Sequence, residues 1–284
     1  MVDRLLRACL VLLLLCGARE AAAETVYCEP IDAVPAVIST PGHYCLAKDL
    51  TMSADAAAAI VIAANHVTVD CNEHAITRYS SSSATYGVLA SERAWVNVRG
   101  CALHLFPTGI ALVRTRVGEI AGNTVTTPGQ GILATGDGLD IADNAVLALY
   151  GSTGPEIGIT VATGYTGQAI SAIRITGNRL SAIRGYGIGV HGNQGVLVEG
   201  NYIHMREQVA PKMGIWVVES GNLPETMMFG LALVRRNYLF GAGDYTGLYV
   251  APQLAEALCS GNYIRNAAVA NDGCQTDAVA NTDW

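Results

Sequence analysis

Charged residues and phenylalanine are both scarce in this chain of 284 residues. Asp, Glu, Lys and Arg make up 14% of it, against about 25% in an average globular protein. The chain contains 3 phenylalanines. Amphipathic helices need a charged face toward water, so few of them are expected. The 31 glycines, together with many Val, Ile and Ala residues, instead favour short strands joined by tight turns.

Long apolar runs are also absent, apart from one at the N-terminus. Arg4 and Arg7 precede an apolar run centred on residues 10–15, and small residues follow it up to Ala23. This order predicts a secretory signal peptide cleaved after Ala23, and the run is too short to span a bilayer. A buried N-terminal helix and lipoprotein processing at Cys16 are the alternatives.

Positive charge is in deficit. The net charge is −7, and removal of the signal peptide leaves 14 basic against 22 acidic residues, or −8. Such a surface disfavours nucleic acids and anionic membranes as partners, and no membrane insertion is expected after signal removal. A polyanionic ligand then requires a local cluster of basic residues. The oligomeric state is left open.

Cysteine pairs with zinc-site spacing are missing. Six cysteines remain after signal removal: Cys28, Cys45, Cys71, Cys101, Cys259 and Cys274. An even number in an exported chain indicates disulfides and a secreted or periplasmic location. Their count allows several pairings, and proximity along the chain favours Cys28–Cys45, Cys71–Cys101 and Cys259–Cys274. No metal site is predicted from them.

Two interleaved repeats run through the chain. In the first, a short apolar strand, Gly-Asn or a variant, and another short strand recur around Asn123, Asn144, Asn178, Asn201, Asn237 and Asn262. Asn72 and Cys101 occupy the related places in the first two turns. Asparagines at the same bend of successive coils can stack into a ladder in which each amide bonds the next. The repeat therefore predicts stacked coils with an asparagine-lined bend.

The second repeat is a glycine followed by Ile, Val or Leu and another apolar residue two positions on. Its copies begin at Gly87, Gly109, Gly131, Gly158, Gly187, Gly214 and Gly247, with spacings of 22 to 33 residues. Strand residues alternate between faces, so the apolar residues of each copy point the same way. Each strand is too short to be stable alone, but stacked copies would form continuous apolar columns.

These repeats resemble those of the pectate-lyase-like family of parallel β-helices over roughly residues 60–265. The segments Pro41–Leu50 and Val67–Asn72 are similar to the opening of secreted bacterial β-helix proteins. The predicted fold is all-β, a single-stranded right-handed parallel β-helix of about eight coils. Residues 1–23 are assigned to the signal peptide, 24–59 to an N-terminal cap, 60–265 to the β-helix, and 266–284 to a C-terminal cap or tail.

The resemblance places any binding cleft on the outer face of the glycine-led strands and their loops. Outward residues of the first four coils are small or apolar, whereas the last three coils gather aromatic and charged residues. The candidate catalytic residues are Arg184, His191 and Lys212. The candidate substrate-binding residues are Tyr186, Arg206, Trp216, Glu219, Asp244, Tyr245 and Tyr249.

This cluster suggests chemistry on an acidic polysaccharide. Aromatic faces stack on sugar rings, and Arg or Lys can neutralise a uronate carboxylate. A Lys, His or Tyr could then abstract the proton beside that carboxylate, giving β-elimination. The first hypothesis is a secreted β-helix that binds or processes an acidic polysaccharide, as a lyase if it is an enzyme. The alternative is a non-catalytic adhesion or envelope protein, in which the aromatics only cover the sheet.

Motifs of the known enzymes of this fold are mostly absent, so enzyme status stays open. Polygalacturonase strings have only partial counterparts, such as Val190-His191-Gly192, and no acidic trio lies on the predicted cleft sheet. No cofactor is predicted. Calcium is left open without a clear site, since Asp137, Asp140 and Asp143 are expected to be solvated acids on the bend before Asn144.

Overall fold

The computed structural model describes most of the chain as one stack of short strands. The described residues are 27–79, 85–149, 156–162, 172–191, 195–206, 212–218, 232–241, 245–250, 257–272, 275–276 and 282–283. Within these ranges, every helix or strand element is a strand, and there are 29 of them. Each coil contributes three strands, and strands in the same place of successive coils pair in parallel. The signal-peptide prediction falls outside the described residues.

The glycine-led strands and their counterparts at the ends form the first series. They are β2 (Ala36–Ile38), β5 (Ala58–Ile62), β8 (Tyr86–Ser91), the first parts of β11 (Thr108–Ala121) and β13 (Gln130–Ala142), β15 (Ile157–Ala162), β18 (Tyr186–His191), β21 (Met213–Val218), β24 (Thr246–Val250) and β27 (Val269–Asp272). Seven of these strands carry the glycine repeat. Since each coil contributes one strand of this series, the glycine repeat spans seven coils, close to the eight that the sequence predicts.

The second series leads into the bend. It comprises β1 (Glu29–Ile31), β3 (Gly42–Leu46), β6 (Val67–Asp70), β9 (Ala94–Arg99), the second parts of β11 and β13, β16 (Ile173–Thr176), β19 (Val196–Glu199), β22 (Ala232–Arg235), β25 (Ala257–Ser260) and β28 (Gln275–Thr276). Because β11 and β13 run through the corner without a break, the first two series join into one sheet of 19 strands.

The third series follows the bend and forms a separate ten-stranded sheet. Its strands are β4 (Leu50–Met52), β7 (Ala75–Arg78), β10 (Ala102–His104), β12 (Thr124–Thr127), β14 (Ala145–Ala148), β17 (Arg179–Ile183), β20 (Tyr202–Met205), β23 (Tyr238–Phe240), β26 (Tyr263–Arg265) and β29 (Thr282–Asp283). Strands β1 to β4 lie within the stretch assigned to the N-terminal cap, yet they pair in parallel with the other strands.

Apolar columns fill the interior, as the repeats predicted. One column runs through Val88, Ile110, Ile132, Ile159, Ile188, Ile215 and Leu248, which face one another in register and are all buried. Each residue therefore packs between its equivalents in the coils above and below. The core is continuous along the axis, and no single coil could form it alone.

The glycine repeat has a steric cause. A Cβ atom at Gly87 would lie 2.6 Å from the carbonyl oxygen of Gly109 in the next coil, and one at Gly158 would lie 2.5 Å from that of Gly187. Equivalent overlaps occur at Gly109, Gly131, Gly187 and Gly214. Neighbouring coils approach so closely at these positions that only glycine fits.

The predicted asparagine ladder is confirmed. Each Nδ2 donates to the Oδ1 of the next asparagine, at 2.9 Å from Asn123 to Asn144 and 3.0 Å from Asn144 to Asn178. The same bond continues through Asn201 and Asn237 to Asn262. Each Oδ1 also accepts a backbone N–H, at 3.0 Å from Asn144 to Asn178. All six amides are buried, so the ladder satisfies polar groups that would otherwise be costly inside the corner.

The first turns depart from the predicted ladder at Asn72. Cys101 holds the ladder place, because its N–H donates to Oδ1 of Asn123 at 3.0 Å. Asn72 is instead exposed and donates to the carbonyl of Leu46 at 3.1 Å. The placement of Asn72 in the ladder was wrong, because four residues separate β6 from β7 whereas two separate β9 from β10.

Two of the predicted disulfides, Cys28–Cys45 and Cys71–Cys101, are confirmed. Cys259 is disulfide-bonded as well, and its predicted partner Cys274 lies outside the described residues. The two disulfides are compatible with an extracellular location. Among the residues that the structure describes, no helix is long and apolar enough to cross a membrane.

Candidate functional site

Three of the candidate residues meet on the outer face of the glycine-led strands. Tyr186 and His191 stand at the two ends of β18, and Trp216 on β21 lies opposite Gly189, midway between them. The Trp216 ring stacks on Tyr186, with centroids 5.2 Å apart, and meets His191 edge-on at 4.7 Å. A Cβ at Gly189 would have Trp216 Cε3 as its nearest atom, at 3.6 Å, so the indole leans over the glycine. These three side chains are called the aromatic cluster below.

Tyr249 extends this surface by one coil. It lies on β24 in register with Trp216, and its side chain is partly buried against the core. Tyr249 and the aromatic cluster all keep part of their surface open to solvent. The structure thus brings together four candidate residues from three consecutive coils.

His191 is biased toward its neutral form. Burial lowers the pKa of His191 below its ordinary value, because a charged imidazole loses hydration there. A neutral imidazole carries one donor N–H and one acceptor nitrogen. Contact with a bound acid group would favour the protonated form and oppose this shift.

Arg184 is committed to a structural ion pair. Its guanidinium makes a bidentate contact with Glu156, with Nε 2.6 Å from Oε2 and Nη2 against Oε1. The Glu156 side chain is 1% exposed and that of Arg184 15%. The pair stands at the corner where the chain enters the glycine-led strands, and it accounts for the position of Arg184 without a substrate.

The remaining candidate residues differ in how far they are exposed to solvent. Lys212 is buried immediately before β21, and Tyr245 is buried immediately before β24, where its hydroxyl donates to the carbonyl of Arg265 at 2.8 Å. Arg206 is half-buried at the end of β20. Glu219 and Asp244 lie outside the described residues. Lys212 and Tyr245 are thus closed to solvent, whereas Arg206 stays partly open.

The three candidate catalytic residues do not converge. Arg184 and Lys212 lie before β18 and β21, whereas His191 is at the far end of β18. The five residue steps from Tyr186 to His191 span roughly 16 Å of extended strand. A β-elimination needs its base and its carboxylate-binding cation on one sugar unit, so these residues as placed do not form such a site.

The acidic residues near Asn144 are not all turn acids. Asp143 is exposed at the bend, but Asp140 lies on the outward side of β13 and Asp137 is nearly buried at the preceding corner. The expected position on the bend was wrong for Asp137 and Asp140, because β13 continues through the corner and contains both, and the expected solvation was wrong for Asp137. Across the described ranges, no three His, Cys, Asp or Glu side chains are grouped to hold a metal ion.

Comparison with known families agrees with this geometry. Residues 36–226 match the family model described as "Right handed beta helix region". The chain belongs to that right-handed β-helix family. The matched segment begins at β2 and extends past β21, and it establishes the hand of the β-helix. No curated protein and no solved structure matches the chain.

The β-helix also exposes aromatic residues that the sequence analysis missed. Tyr202, Tyr238 and Tyr263 each follow a ladder asparagine and point outward from the ten-stranded sheet. The repeated Asn-Tyr pair was a signal in the sequence. It was passed over because the family resemblance directed attention to the glycine-led strands.

The ion pair of Arg184 leads to a stability prediction. Replacing Arg184 by Ala should lower the free energy of unfolding by about 3 kcal/mol, because the buried Glu156 carboxylate loses its bidentate partner. Urea unfolding followed by circular dichroism measures the change. Arg174→Ala is the control, since this exposed arginine is 3.9 Å from Asp140, and a loss below about 0.5 kcal/mol is expected. Equal losses in the two variants would contradict the structural role of Arg184.

Proposed function

We propose that this β-helix binds an acidic polysaccharide on the outer face of its glycine-led strands. The observation that supports the proposal is the aromatic cluster, with Trp216 leaning over Gly189 between Tyr186 and His191. Aromatic rings offer apolar faces to the C–H groups of a sugar ring, while the polar edges of Tyr, Trp and His can bond its hydroxyls. The partly open rings leave such contacts available.

The shape of the surface suits a polymer. On the N-terminal side of Trp216, the same outward column continues through Gly189, Thr160, Leu133, Ala111 and Leu89. These side chains are uncharged and none is larger than leucine, so they form a low track along the axis in which Leu89, Leu133 and Thr160 are partly exposed and Ala111 is buried. Because the strands repeat about every 4.8 Å, a long glycan could follow this track and end on the aromatic cluster.

The expected acidity of the ligand rests on Arg206. This arginine is partly open at the corner that leads from β20 into the strand of Trp216, where its positive charge would attract a carboxylate on a chain whose overall charge is negative. Burial lowers the pKa of His191, so its neutral imidazole would contribute hydrogen bonds to sugar hydroxyls and not a positive charge.

The proposal stops at binding. Among the described residues, Arg184 and Lys212 lie in the corner before the cluster and away from His191, so these three do not pair a base with a cation for elimination. A secreted or periplasmic protein that holds a polysaccharide would serve adhesion or envelope structure. Such a use combines the polysaccharide binding of the first hypothesis with the non-catalytic role of the alternative. The two disulfides are compatible with an extracellular location for it.

Replacing Trp216 by Ala tests the proposal. We expect the affinity for polygalacturonate or alginate in affinity gel electrophoresis to fall about tenfold, since a sugar–aromatic stack is expected to resemble an aromatic pair in strength. Trp95→Ala, which removes an exposed indole from β9 outside this face, should migrate as the unmodified protein does. Absorbance of unsaturated products in the same incubations should stay at background.

Two results would count against the proposal. The first is that the unmodified protein is not retarded by any uronate polymer. The second is that Trp216→Ala is retarded as strongly as the unmodified protein. Release of unsaturated products would instead show that the protein is a lyase.

A further inference from the structure

The outward side of the ten-stranded sheet changes abruptly at β20. Five earlier strands present small or polar residues at one outward position: Ala75, Ala102, Thr124, Ala145 and Arg179. The next three strands present Tyr202, Tyr238 and Tyr263 at the same position. His204 and Phe240 add two more rings in the neighbouring outward column. These five side chains are called the tyrosine patch.

Rings of the tyrosine patch contact one another but remain open to solvent. Phe240 stacks on His204 at 4.6 Å and meets Tyr202 at 4.9 Å, while Tyr238 and Tyr263 are 6.1 Å apart. Tyr202 is 43% exposed and Tyr238 is 53% exposed. Rings that only sealed the sheet would bury more of this surface, so the patch leaves apolar faces and hydroxyls available to a ligand.

The scaffold does not require these aromatic residues. The inward column of the same sheet is apolar throughout, as at Val125, Val146, Leu180, Ile203 and Leu239. The early coils close the same fold with alanine or threonine on the outside. The tyrosines therefore do not replace any missing core contact, and their confinement to three coils points to an interaction with a partner.

Two arginines frame the patch. Arg179 lies beside Tyr202 at one end, and Arg265 lies beside Phe240 at the other. Both are exposed, and within the described ranges neither forms an ion pair. On a chain of net charge −7, these two cations make the borders of the patch locally positive. This favours an anionic ligand.

The dimensions of the patch favour a glycan over a second copy of the chain. Three strands about 4.8 Å apart extend only about 10 Å along the axis. A stable dimer buries about 800 Å² on each partner, far more than this area. One strand spacing is, however, comparable with the length that one sugar unit adds to an extended glycan.

We infer that the tyrosine patch is a second binding surface for an anionic glycan. The glycan lies along the axis of the β-helix, so that successive sugar units meet Tyr202, Tyr238 and Tyr263. Its acidic groups then approach Arg179 and Arg265. This surface shares no residue with the aromatic cluster and lies on the other sheet. The inference therefore goes beyond the proposed function and can be tested separately from it.

The test is a double variant, Tyr202→Ala with Tyr238→Ala, in the full-length protein. Isothermal titration with polygalacturonate fragments should show about tenfold weaker binding at one class of sites. The same loss should appear in a Trp216→Ala background. Thr124→Ala, at the same outward position on β12, is the matched control and should bind as the unmodified protein does. Urea unfolding should show that both variants fold, with a loss of about 1–2 kcal/mol at most in the tyrosine variant, whose removed rings only contact other rings of the patch.

Charge is tested by Arg179→Gln with Arg265→Gln. This double variant should bind polygalacturonate about fivefold more weakly at low salt. Its affinity for a neutral polymer, hydroxyethyl cellulose, should equal that of the unmodified protein.

Unchanged binding by the tyrosine variant would overturn the inference. So would a dimer of the unmodified protein in sedimentation that the tyrosine variant converts to a monomer, because the patch would then be a self-interface. If Trp216→Ala binds normally while the tyrosine variant does not, the proposed function fails and the inference stands.

Discussion

Replacing Gly187 by Ala is expected to lower the free energy of unfolding by about 3 kcal/mol or more, or to prevent folding altogether. The new Cβ would overlap the carbonyl oxygen of Gly214 in the next coil and lie 2.7 Å from Cγ2 of Ile203. That carbonyl belongs to a parallel strand held on both sides. It cannot retreat without breaking hydrogen bonds between coils. Urea unfolding of the purified protein measures the loss.

Gly189→Ala is the matched control on the same strand. There the nearest atoms to a Cβ are Trp216 Cε3 at 3.6 Å and Thr160 Oγ1 at 3.8 Å, both ordinary contacts. Neither Gly187 nor Gly189 has a positive φ angle, so the two substitutions differ only in the space available. The control should change stability by less than about 1 kcal/mol. Similar losses at both positions would show that crowding between coils is not the reason for the glycine repeat.

Replacing Asn178 by Asp should cost about 4 kcal/mol at neutral pH. The substitution keeps the shape but removes a donor that serves Asn201 Oδ1 at 2.9 Å and the carbonyl of Ile141 at 2.9 Å. A buried carboxylate then faces acceptor oxygens, which adds the cost of an unsatisfied group to that of a buried charge. Asparagine ladders thus depend on the amide hydrogens, and an isosteric acid cannot replace them.

The pH dependence of this variant follows from the same contacts. Burial and facing oxygens should raise the pKa of the new carboxyl in the folded state above its unfolded value. The folded state then binds the proton more tightly, so the deficit shrinks as the pH falls through the raised pKa and grows as the pH rises. Unfolding curves between acidic and neutral pH measure this trend.

Asn72→Asp is the control outside the ladder. Asn72 is exposed, and its side chain makes a single bond to the Leu46 carbonyl, so a loss of about 1 kcal/mol or less is expected. A deficit at Asn178 that is as small as the one at Asn72, or that does not depend on pH, would contradict the structural role of the ladder.

Most of the scaffold could be predicted because it is periodic. The apolar columns and the asparagine ladder follow from spacings that repeat along the chain, and the first two disulfides follow from the proximity of their cysteines in the sequence. Asn72 was misplaced because its bend is two residues longer than the next, and a count of residue types does not register such an insertion. The glycine repeat was recognised, but its cause was visible only when the carbonyl of the next coil was in place.

The candidate site was predictable in part. His191 and Trp216 were selected because strand alternation assigns them outward positions, and Tyr186 because it lies next to the glycine-led strand; the structure brings these three rings together. Arg184 was selected for its charge, yet its carboxylate partner is Glu156, 28 residues earlier. Tyr245 was selected as an aromatic ligand, yet it is buried at the end of a coil. Nothing local to either residue distinguishes such positions from open ones.

The sequence by itself determined that the chain is a stack of short parallel strands with an asparagine bend, because these features depend on local spacing and alternation. Only the tertiary structure decided which side chains meet, because contacts between coils join residues separated by a whole turn of variable length. Those contacts leave Arg184 paired with Glu156, place Trp216 over Gly189, and align three outward-facing tyrosines on the ten-stranded sheet.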